Sequence, residues 1–125
     1  MNDKVLWVTG ASSGIGAAVA KKFAKEGWIV AVSARRIELL DELAKHDNIF
    51  SYPLDVTDAT KLKEVFYRIV NDLGSVDLCI FSSGTYERKS EKEIDVNNIK
   101  NVIEVNFLGV INSVAAVESY FKNKK

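Results

Sequence analysis

Three glycines stand close together near the amino terminus, in residues 7–16, Trp-Val-Thr-Gly-Ala-Ser-Ser-Gly-Ile-Gly. An apolar run precedes them, and an amphipathic helical pattern follows them. Because glycine has no Cβ, such a backbone can turn tightly and can approach a pyrophosphate closely. A helix after the turn directs its free N–H groups and the positive end of its dipole toward the ligand. Gly10, Gly14 and Gly16 therefore predict a loop that binds the phosphates of a dinucleotide.

Alternating strand-like and helix-like segments must position this loop. Apolar runs predict four strands, at residues 4–9, 28–34, 49–54 and 76–82. Apolar residues at 3/4 spacing predict four helices, at residues 13–26, at residues 37–46, between a cap at Asp58 and a stop at Gly74, and at residues 97–122. Strands that are apolar on both faces imply a parallel sheet covered on both sides. Right-handed crossovers then predict a Rossmann-type α/β fold with strand order 3-2-1-4 and a crevice between strands one and four.

The apolar spacing also predicts which side of each helix is buried. In the first helix the predicted face is Ile15, Val19 and Phe23. In the last helix one stripe suits the sheet: Ile99, Ile103, Phe107, Val110, Val114, Val117 and Phe121. Three further apolar residues lie off that stripe: Val105, Leu108 and Ile111. Isolated apolar surface residues are common, but a helix that is apolar on a second side favours a second partner.

Composition excludes several classes of function. The 125 residues include 17 basic and 17 acidic side chains, and this balance gives no electrostatic footprint for nucleic acid or an anionic membrane. Cys79 is the single cysteine, so no intrachain disulfide forms, and its apolar neighbours predict a buried thiol. No signal-peptide pattern and no run of about 18 apolar residues is present, so we expect no membrane partner and a cytoplasmic location.

The motif Thr9-Gly10-x-x-x-Gly14-Ile15-Gly16 resembles the cofactor fingerprint of the short-chain dehydrogenase/reductase family. Its glycine spacing differs from the G-x-G-x-x-G of other dinucleotide binders and is typical of this family. The context that the motif requires, a strand before it and a helix after it, is also predicted here. The resemblance implies that Ser12, Ser13 and Ile15 belong to the cofactor site together with the three glycines.

The end of the second strand bears on the choice of cofactor. An acidic residue there accepts hydrogen bonds from the adenosine ribose of NAD, but this chain has Ala34 followed by Arg35 and Arg36. Two guanidinium groups and no carboxylate favour the 2′-phosphate of NADP(H) over NAD(H). The resemblance assigns the phosphate contact to the first arginine, Arg35. The alternative is that both arginines are ordinary solvated residues at the start of a helix.

Two further segments match the family after strands three and four. Asp55-Val56 resembles the family's Asp-Val segment, whose carboxylate and backbone N–H meet the adenine edge; the alternative is a simple turn. Ser82-Ser83-Gly84 stands where the family usually has Asn-Ala-Gly, and the resemblance implies that it passes beside the cofactor ribose. Ser82 replaces the asparagine that ties neighbouring strands together, and a serine hydroxyl satisfies fewer backbone groups.

In the last helix, Val105-Asn106-Phe107-Leu108-Gly109 resembles the family's Val-Asn-Leu-x-Gly. The resemblance implies that Asn106 is the catalytic-site asparagine that holds a water linked to a lysine; the alternative is a helical asparagine facing a polar gap. The family's serine and Tyr-x-x-x-Lys motif lie beyond a fifth strand, and residues 1–125 do not reach that strand. Tyr120 and Lys124 have the correct spacing, but they follow Asn106 on the same predicted helix, so we expect no catalytic role for them.

We therefore expect residues 1–125 to be a single dinucleotide-binding domain that is truncated before the fifth strand. Such a domain should bind NADP(H) as part of an oxidoreductase and should lack catalysis on its own. No metal-ligand spacing is present. The alternative is a non-catalytic dinucleotide-binding module or sensor that acts through a protein partner. An open fourth strand and the second apolar side of the last helix also predict self-association.

Overall fold

The computed structural model describes residues 4–12, 14–82 and 94–124. The first elements are β1 (Val5–Thr9), α1 (Gly14–Lys25), β2 (Ile29–Ser33), α2 (Ile37–Leu43), β3 (Ile49–Ser51), α3 (Ala59–Leu73) and β4 (Leu78–Phe81). The last helix has three parts: α4 (Val96–Ile103), a π-helical turn (Glu104–Leu108) and α5 (Gly109–Asn123). The four strands form one sheet in the order β3-β2-β1-β4, and all three pairings are parallel. The predicted α/β fold and strand order are confirmed.

Strand β1 lies at the centre of the molecule, and its five residues are all buried. Side chains alternate across the strand, so Trp7 joins the apolar cluster that includes α3 and α5, while Leu6 and Val8 join the cluster under α1 and α2. The indole N–H of Trp7 donates to the hydroxyl of Ser33 at 2.9 Å. The sheet is therefore covered on both faces, as its uninterrupted apolar strands predict.

Helix α3 follows its sequence signals closely. The Asp58 side chain accepts a hydrogen bond from the backbone N–H of Lys61 and caps the first turn, and the helix ends at Gly74. The residues predicted to face the sheet are buried or partly buried: Leu62, Val65, Phe66, Ile69, Val70 and Leu73.

The structure corrects the prediction of which face of α1 is buried. Its buried residues are Gly16, Ala20 and Ala24, one position after the apolar series that the sequence suggested. Ile15 is 78% exposed, although Val19 and Phe23 are partly buried. The small residues let the helix backbone approach the sheet, so they form the contact, and the larger apolar side chains lie at its margins.

The structure also corrects the prediction of which face of the last helix meets the sheet. Its buried residues are Val105, Gly109, Ser113, Ala116 and Val117. Val110 and Phe121 are partly buried, in agreement with the predicted stripe. Four other members of that stripe are exposed: Ile99, Ile103, Phe107 and Val114. The π-helical turn holds one extra residue, which rotates the following residues by about 100° relative to a regular helix. A single stripe drawn at regular spacing therefore does not follow the surface that meets the sheet.

By length and composition alone, the 28-residue helix Val96–Asn123 is apolar enough to cross a membrane, with a mean hydropathy of 1.3 in its most apolar window. Core helices of water-soluble proteins pass the same test, so the result is weak support for a membrane span. In this fold α5 packs against α3, and its buried residues join the cluster around Trp7.

Two alanine substitutions in the π-helical turn test which face of the last helix is buried. Val105→Ala should lower the free energy of unfolding by about 1–2 kcal/mol, because Val105 is buried in the core cluster. Phe107→Ala removes a larger side chain but should change stability by less than about 0.5 kcal/mol, because Phe107 is 60% exposed. Urea unfolding of both variants measures the difference, and the reverse ranking would contradict the observed face.

Candidate functional site

The glycine loop joins β1 to α1 at the carboxyl edge of the sheet. Gly10 and Gly14 have φ angles of 67° and 62°, in the left-handed region that favours glycine. The backbone N–H of Ala11 donates to the carbonyl of Ser33 at 3.2 Å, which anchors the loop to the end of β2. Ser13 lies outside the described residues. The loop therefore has the fixed backbone that a phosphate-binding turn requires.

Gly16 marks the closest approach between α1 and the sheet. A Cβ at this position would overlap the carbonyl oxygen of Gly10 and would lie 2.7 Å from the Ser82 hydroxyl oxygen. Only glycine fits, and the first turn of α1 is held directly against the ends of β1 and β4. The resulting helix start lies at the switch point between these strands, where ligands of doubly wound sheets bind.

Ser82 connects β4 to the residue before the loop. Its hydroxyl donates to the carbonyl oxygen of Thr9 at 2.5 Å, and its backbone N–H donates to the same oxygen at 3.2 Å. The short side chain thus ties the two strands together. Ser82 was predicted as a cofactor residue, and its hydroxyl is directed at this carbonyl. Ser83 and Gly84, the other predicted residues of this segment, lie outside the described residues.

The hydroxyl of Thr9 is buried at the carboxyl end of β1 and has no hydrogen-bond partner within the part of the chain that the structure describes. Buried polar atoms without a partner are uncommon and are costly for folding. This orphaned hydroxyl directly precedes the glycine loop. The sequence identified Thr9 only as a motif residue and gave no signal of its unsatisfied hydroxyl.

A cleft of about 340 Å³ lies between the start of α2, the segment after β3 and one side of α3. Its lining residues are Arg35, Ile37, Pro53, Leu54, Asp55, Asp58, Lys61, Glu64, Val65 and Arg68. The cleft brings together Arg35 and Asp55, two residues that were predicted separately to bind the cofactor. Arg36, at the N-cap of α2, is not among the cleft residues in the described ranges. Lys61 and Arg68 were not predicted, because helical spacing alone does not show which cations border a cleft.

Several charged groups around the cleft already have partners. Asp55 Oδ1 accepts hydrogen bonds from the backbone N–H and the hydroxyl of Thr57, at 2.9 and 2.7 Å. Asp58 caps α3, and Glu64 lies 3.8 Å from the ammonium group of Lys61. Both bonds to Asp55 use one carboxylate oxygen, so the turn alternative for this residue is realised and still leaves Oδ2 as an acceptor. No described group of His, Cys, Asp and Glu residues could hold a metal ion.

Asn106 lies inside the π-helical turn. The turn closes with a hydrogen bond from the backbone N–H of Gly109 to the carbonyl of Glu104, five residues earlier. Turns of this kind often mark functional sites because they displace one residue from the regular helical pattern. Gly109 packs against Val56, the residue after Asp55. The helix segment that carries Asn106 is therefore in direct contact with the predicted adenine segment.

Tyr120 and Lys124 lie at the opposite end of the sheet from the glycine loop, where strands β1 and β4 begin. The Tyr120 hydroxyl accepts a hydrogen bond from the backbone N–H of Val76 at 3.1 Å. The Lys124 ammonium group donates to the Val76 carbonyl and to Asp77 Oδ1, both at 2.9 Å. Asp77 Oδ2 in turn accepts from the backbone N–H of Val5 at 2.8 Å. These contacts fasten the end of α5 to the amino ends of β1 and β4, about 13 Å along the strand from the glycine loop.

Comparison with known proteins identifies the family. A model described as short chain dehydrogenase matches residues 4–125. The chain belongs to the short-chain dehydrogenase family. An uncharacterized oxidoreductase of Staphylococcus haemolyticus is 31% identical over 125 residues, covering 98% of this chain and 54% of the relative. Dehydrogenase/reductase SDR family member 7 of Mus musculus is 28% identical over 134 residues, covering 100% of this chain and 40% of the relative.

A solved member of similar fold is ElxO with NADP bound. Its TM-score is 0.86 at 25% sequence identity, and the alignment covers 97% of this chain and 51% of ElxO. The chain thus spans about half the length of these three proteins.

The contacts of Asp77 lead to a prediction of pH-dependent stability. Partial burial raises the pKa of Asp77, but hydrogen bonds from Lys124 and from the Val5 N–H outweigh burial and hold this pKa below its ordinary value. The stabilisation is therefore complete above pH 4 or so and is lost as the pH falls through the lowered pKa. At pH 7, Asp77→Asn should lower the free energy of unfolding by about 1 kcal/mol, since both charged side chains are about one third exposed.

Urea unfolding between pH 2 and pH 7 measures this dependence. The difference between the wild-type chain and Asp77→Asn should shrink toward acid. Glu118→Gln is a matched control, because Glu118 forms an exposed ion pair with Lys122 at 3.6 Å and should have little effect at any pH. A difference for Asp77→Asn that stays constant with pH would contradict the assigned role of its charge.

Proposed function

We propose that this chain binds a nicotinamide dinucleotide, with NADP(H) preferred over NAD(H), as part of a short-chain oxidoreductase. The observation that carries the proposal is the glycine loop, in which Gly16 leaves no space for a Cβ against Gly10 and Ser82. This close contact directs the start of α1 at the crevice between β1 and β4, where its N–H groups would hold the pyrophosphate. The NADP bound to ElxO, a protein of similar fold, supports the same choice of ligand.

The residues around the loop fit the rest of a dinucleotide. Asp55 and the backbone N–H of Val56 would meet the adenine edge, as the family resemblance implies. Ile15 is 78% exposed at the first turn of α1, and a bound cofactor would cover this apolar side chain. The orphaned Thr9 hydroxyl lies directly before the loop. These features together favour an occupied crevice over a structural domain that has lost its ligand.

Arg35 carries the proposed preference for NADP(H). Its guanidinium group is exposed at the cleft mouth, and the position before it is Ala34, which offers no carboxylate to repel a 2′-phosphate. Arginine binds a phosphate with two parallel hydrogen bonds, which adds both affinity and geometric selectivity. Arg36 lies outside the cleft lining and contributes less to the proposal.

When bound, the cofactor would supply the hydride that full-length relatives exchange with an alcohol or carbonyl carbon. The residues of this chain would hold its phosphates, its adenosine half and, at Asn106, a water near the reacting end. Residues 1–125 contain no Tyr-x-x-x-Lys motif at the carboxyl edge of the described sheet, because Tyr120 and Lys124 bind Val76 and Asp77 at the amino edge. We propose that this chain by itself binds the cofactor without catalysing hydride transfer.

The cofactor preference is tested by titrating the chain with NADPH and NADH and recording tryptophan fluorescence. NADPH should bind more tightly, and Arg35→Ala should weaken NADPH binding by about tenfold while leaving NADH binding nearly unchanged. Lys63→Ala is the control, because Lys63 is exposed on α3 outside the cleft lining. Equal affinities for the two cofactors, or an unchanged NADPH affinity in Arg35→Ala, would refute the preference.

A second candidate function is a non-catalytic module that acts through a protein partner, and one observation favours it. The α4–α5 stripe, which we define as Ile99, Ile103, Phe107, Ile111 and Val114, is between 47% and 60% exposed along one side of the last helix. An exposed apolar stripe of this kind often marks an interaction site. We propose a second copy of the chain as its partner, with the outer edge of β4 as the other surface available for self-association.

Two measurements separate these functions. Incubation with NADPH and simple ketones should leave the absorbance at 340 nm constant, and turnover that disappears in Tyr120→Phe would contradict the non-catalytic proposal.

Sedimentation should show a dimer whose dissociation constant rises at least tenfold in Phe107→Asp, because the substitution introduces a charge into the α4–α5 stripe. A monomer at every concentration would rule out self-association, and Lys122→Asp on the same helix is the control.

A further inference from the structure

The segment from Asp55 to Asp58 is a compact unit held by its own hydrogen bonds. The Asp55 carboxylate accepts two bonds from Thr57, and the Asp55 carbonyl accepts one from the backbone N–H of Asp58 at 3.0 Å. Val56 lies between these residues, and its side chain is only 7% exposed. A shift of the Val56 backbone therefore moves the Asp55 carboxylate with it, because the turn links the two residues rigidly.

Val56 packs against Gly109, which directly follows the π-helical turn. A Cβ on Gly109 would lie 2.7 Å from Val56 Cγ2 and 3.4 Å from Val56 Cβ. Real carbon atoms do not approach so closely, so a larger residue at position 109 must displace the Val56 side chain or separate the helix from the segment. Gly109 cannot move independently, since its N–H is bonded to the Glu104 carbonyl and its carbonyl accepts the Ser113 hydroxyl at 2.7 Å.

We propose that Gly109 is a positioning residue: its missing Cβ seats Val56 against the last helix and thereby holds the Asp55 carboxylate in the orientation that receives adenine. The inference rests on the proposed function, in which Asp55 meets the adenine edge. Gly109 itself touches no ligand and acts through Val56. The same contact fixes the distance between the adenine segment and the π-helical turn that carries Asn106.

The position of the Asp55 turn is tested first in the ligand-free chain, by the ¹⁵N chemical shift of the Thr57 amide, which donates to Asp55. Gly109→Ala should shift this signal, because the new methyl group displaces Val56. Adding Val56→Ala removes Cγ2 and restores the space, so the Thr57 signal of the double variant should match that of Val56→Ala alone, which has the same residue before Thr57. Ala115→Gly is the control for lost helix stability, since Ala115 is exposed on α5, six residues from the contact.

The binding arm uses 2′,5′-ADP, which carries only the adenosine half of NADP. Gly109→Ala should weaken its binding by about tenfold, and the double variant should recover most of the loss. A purely structural role for Gly109 predicts a different result, in which thermal stability falls as it does in Ala115→Gly and the affinity for 2′,5′-ADP is unchanged.

An unchanged Thr57 signal in Gly109→Ala overturns the proposal, as does a double variant whose Thr57 signal differs from that of Val56→Ala as much as the signal of Gly109→Ala differs from wild type. The proposed function and the positioning role of Gly109 are contradicted by different results. If the Thr57 signal shifts and recovers as expected but the wild-type chain does not bind 2′,5′-ADP, the proposed function is wrong and the positioning of the Asp55 carboxylate by Gly109 stands. If 2′,5′-ADP binds equally to the wild-type chain and to Gly109→Ala, the proposed function stands and the positioning role is wrong.

Discussion

The contact at Gly16 is the constraint on which the rest of the site depends. Three elements meet there: the backbone of the Gly10 turn, the first turn of α1 and, after β4, the side chain of Ser82. Such an approach requires glycine, because a Cβ would overlap the Gly10 carbonyl oxygen. The Ser82 hydroxyl completes the contact by binding the carbonyl of Thr9, the residue before the turn. The start of α1 is thus fixed by packing and not by the loop alone.

The same physical principle recurs on the opposite face of the sheet. Gly109 lets Val56 approach the last helix, and small residues, Ser113 and Ala116, continue the contact surface along α5. Small side chains allow close approach of helix and sheet, and close approach fixes relative positions more rigidly than contacts through long side chains. Both α1 and the π-helical turn are therefore positioned by glycines, at Gly16 and Gly109.

The two edges of the sheet have separate roles. The carboxyl edge carries the glycine loop, Arg35 and Asp55, and its polar groups include the Thr9 hydroxyl, which has no partner among the described residues. At the amino edge, Lys124 is bonded to both Asp77 and the Val76 carbonyl. A tyrosine and a lysine at the spacing of the family's catalytic pair thus serve there as a fastening for the last helix. Spacing alone does not define their chemistry, because it does not specify which edge of the sheet a helix end reaches.

The sequence by itself determined the architecture, and it supplied the predictions for the cofactor residues. Alternation of apolar strands and amphipathic helices predicted the strand order, and local signals such as Asp58 and Gly74 predicted the bounds of α3, since capping depends on neighbouring residues alone. Tertiary structure decided which faces are buried. Ile15 was placed on one apolar face of α1 and Phe107 on the stripe that suits the sheet, and both are exposed. Small residues form the real contact surface of α1, and a π-helical turn changes the phase of the last helix. Only the fold brings Arg35 and Asp55 into one cleft with Lys61 and Arg68, since residues distant in sequence meet through packing that no local pattern records.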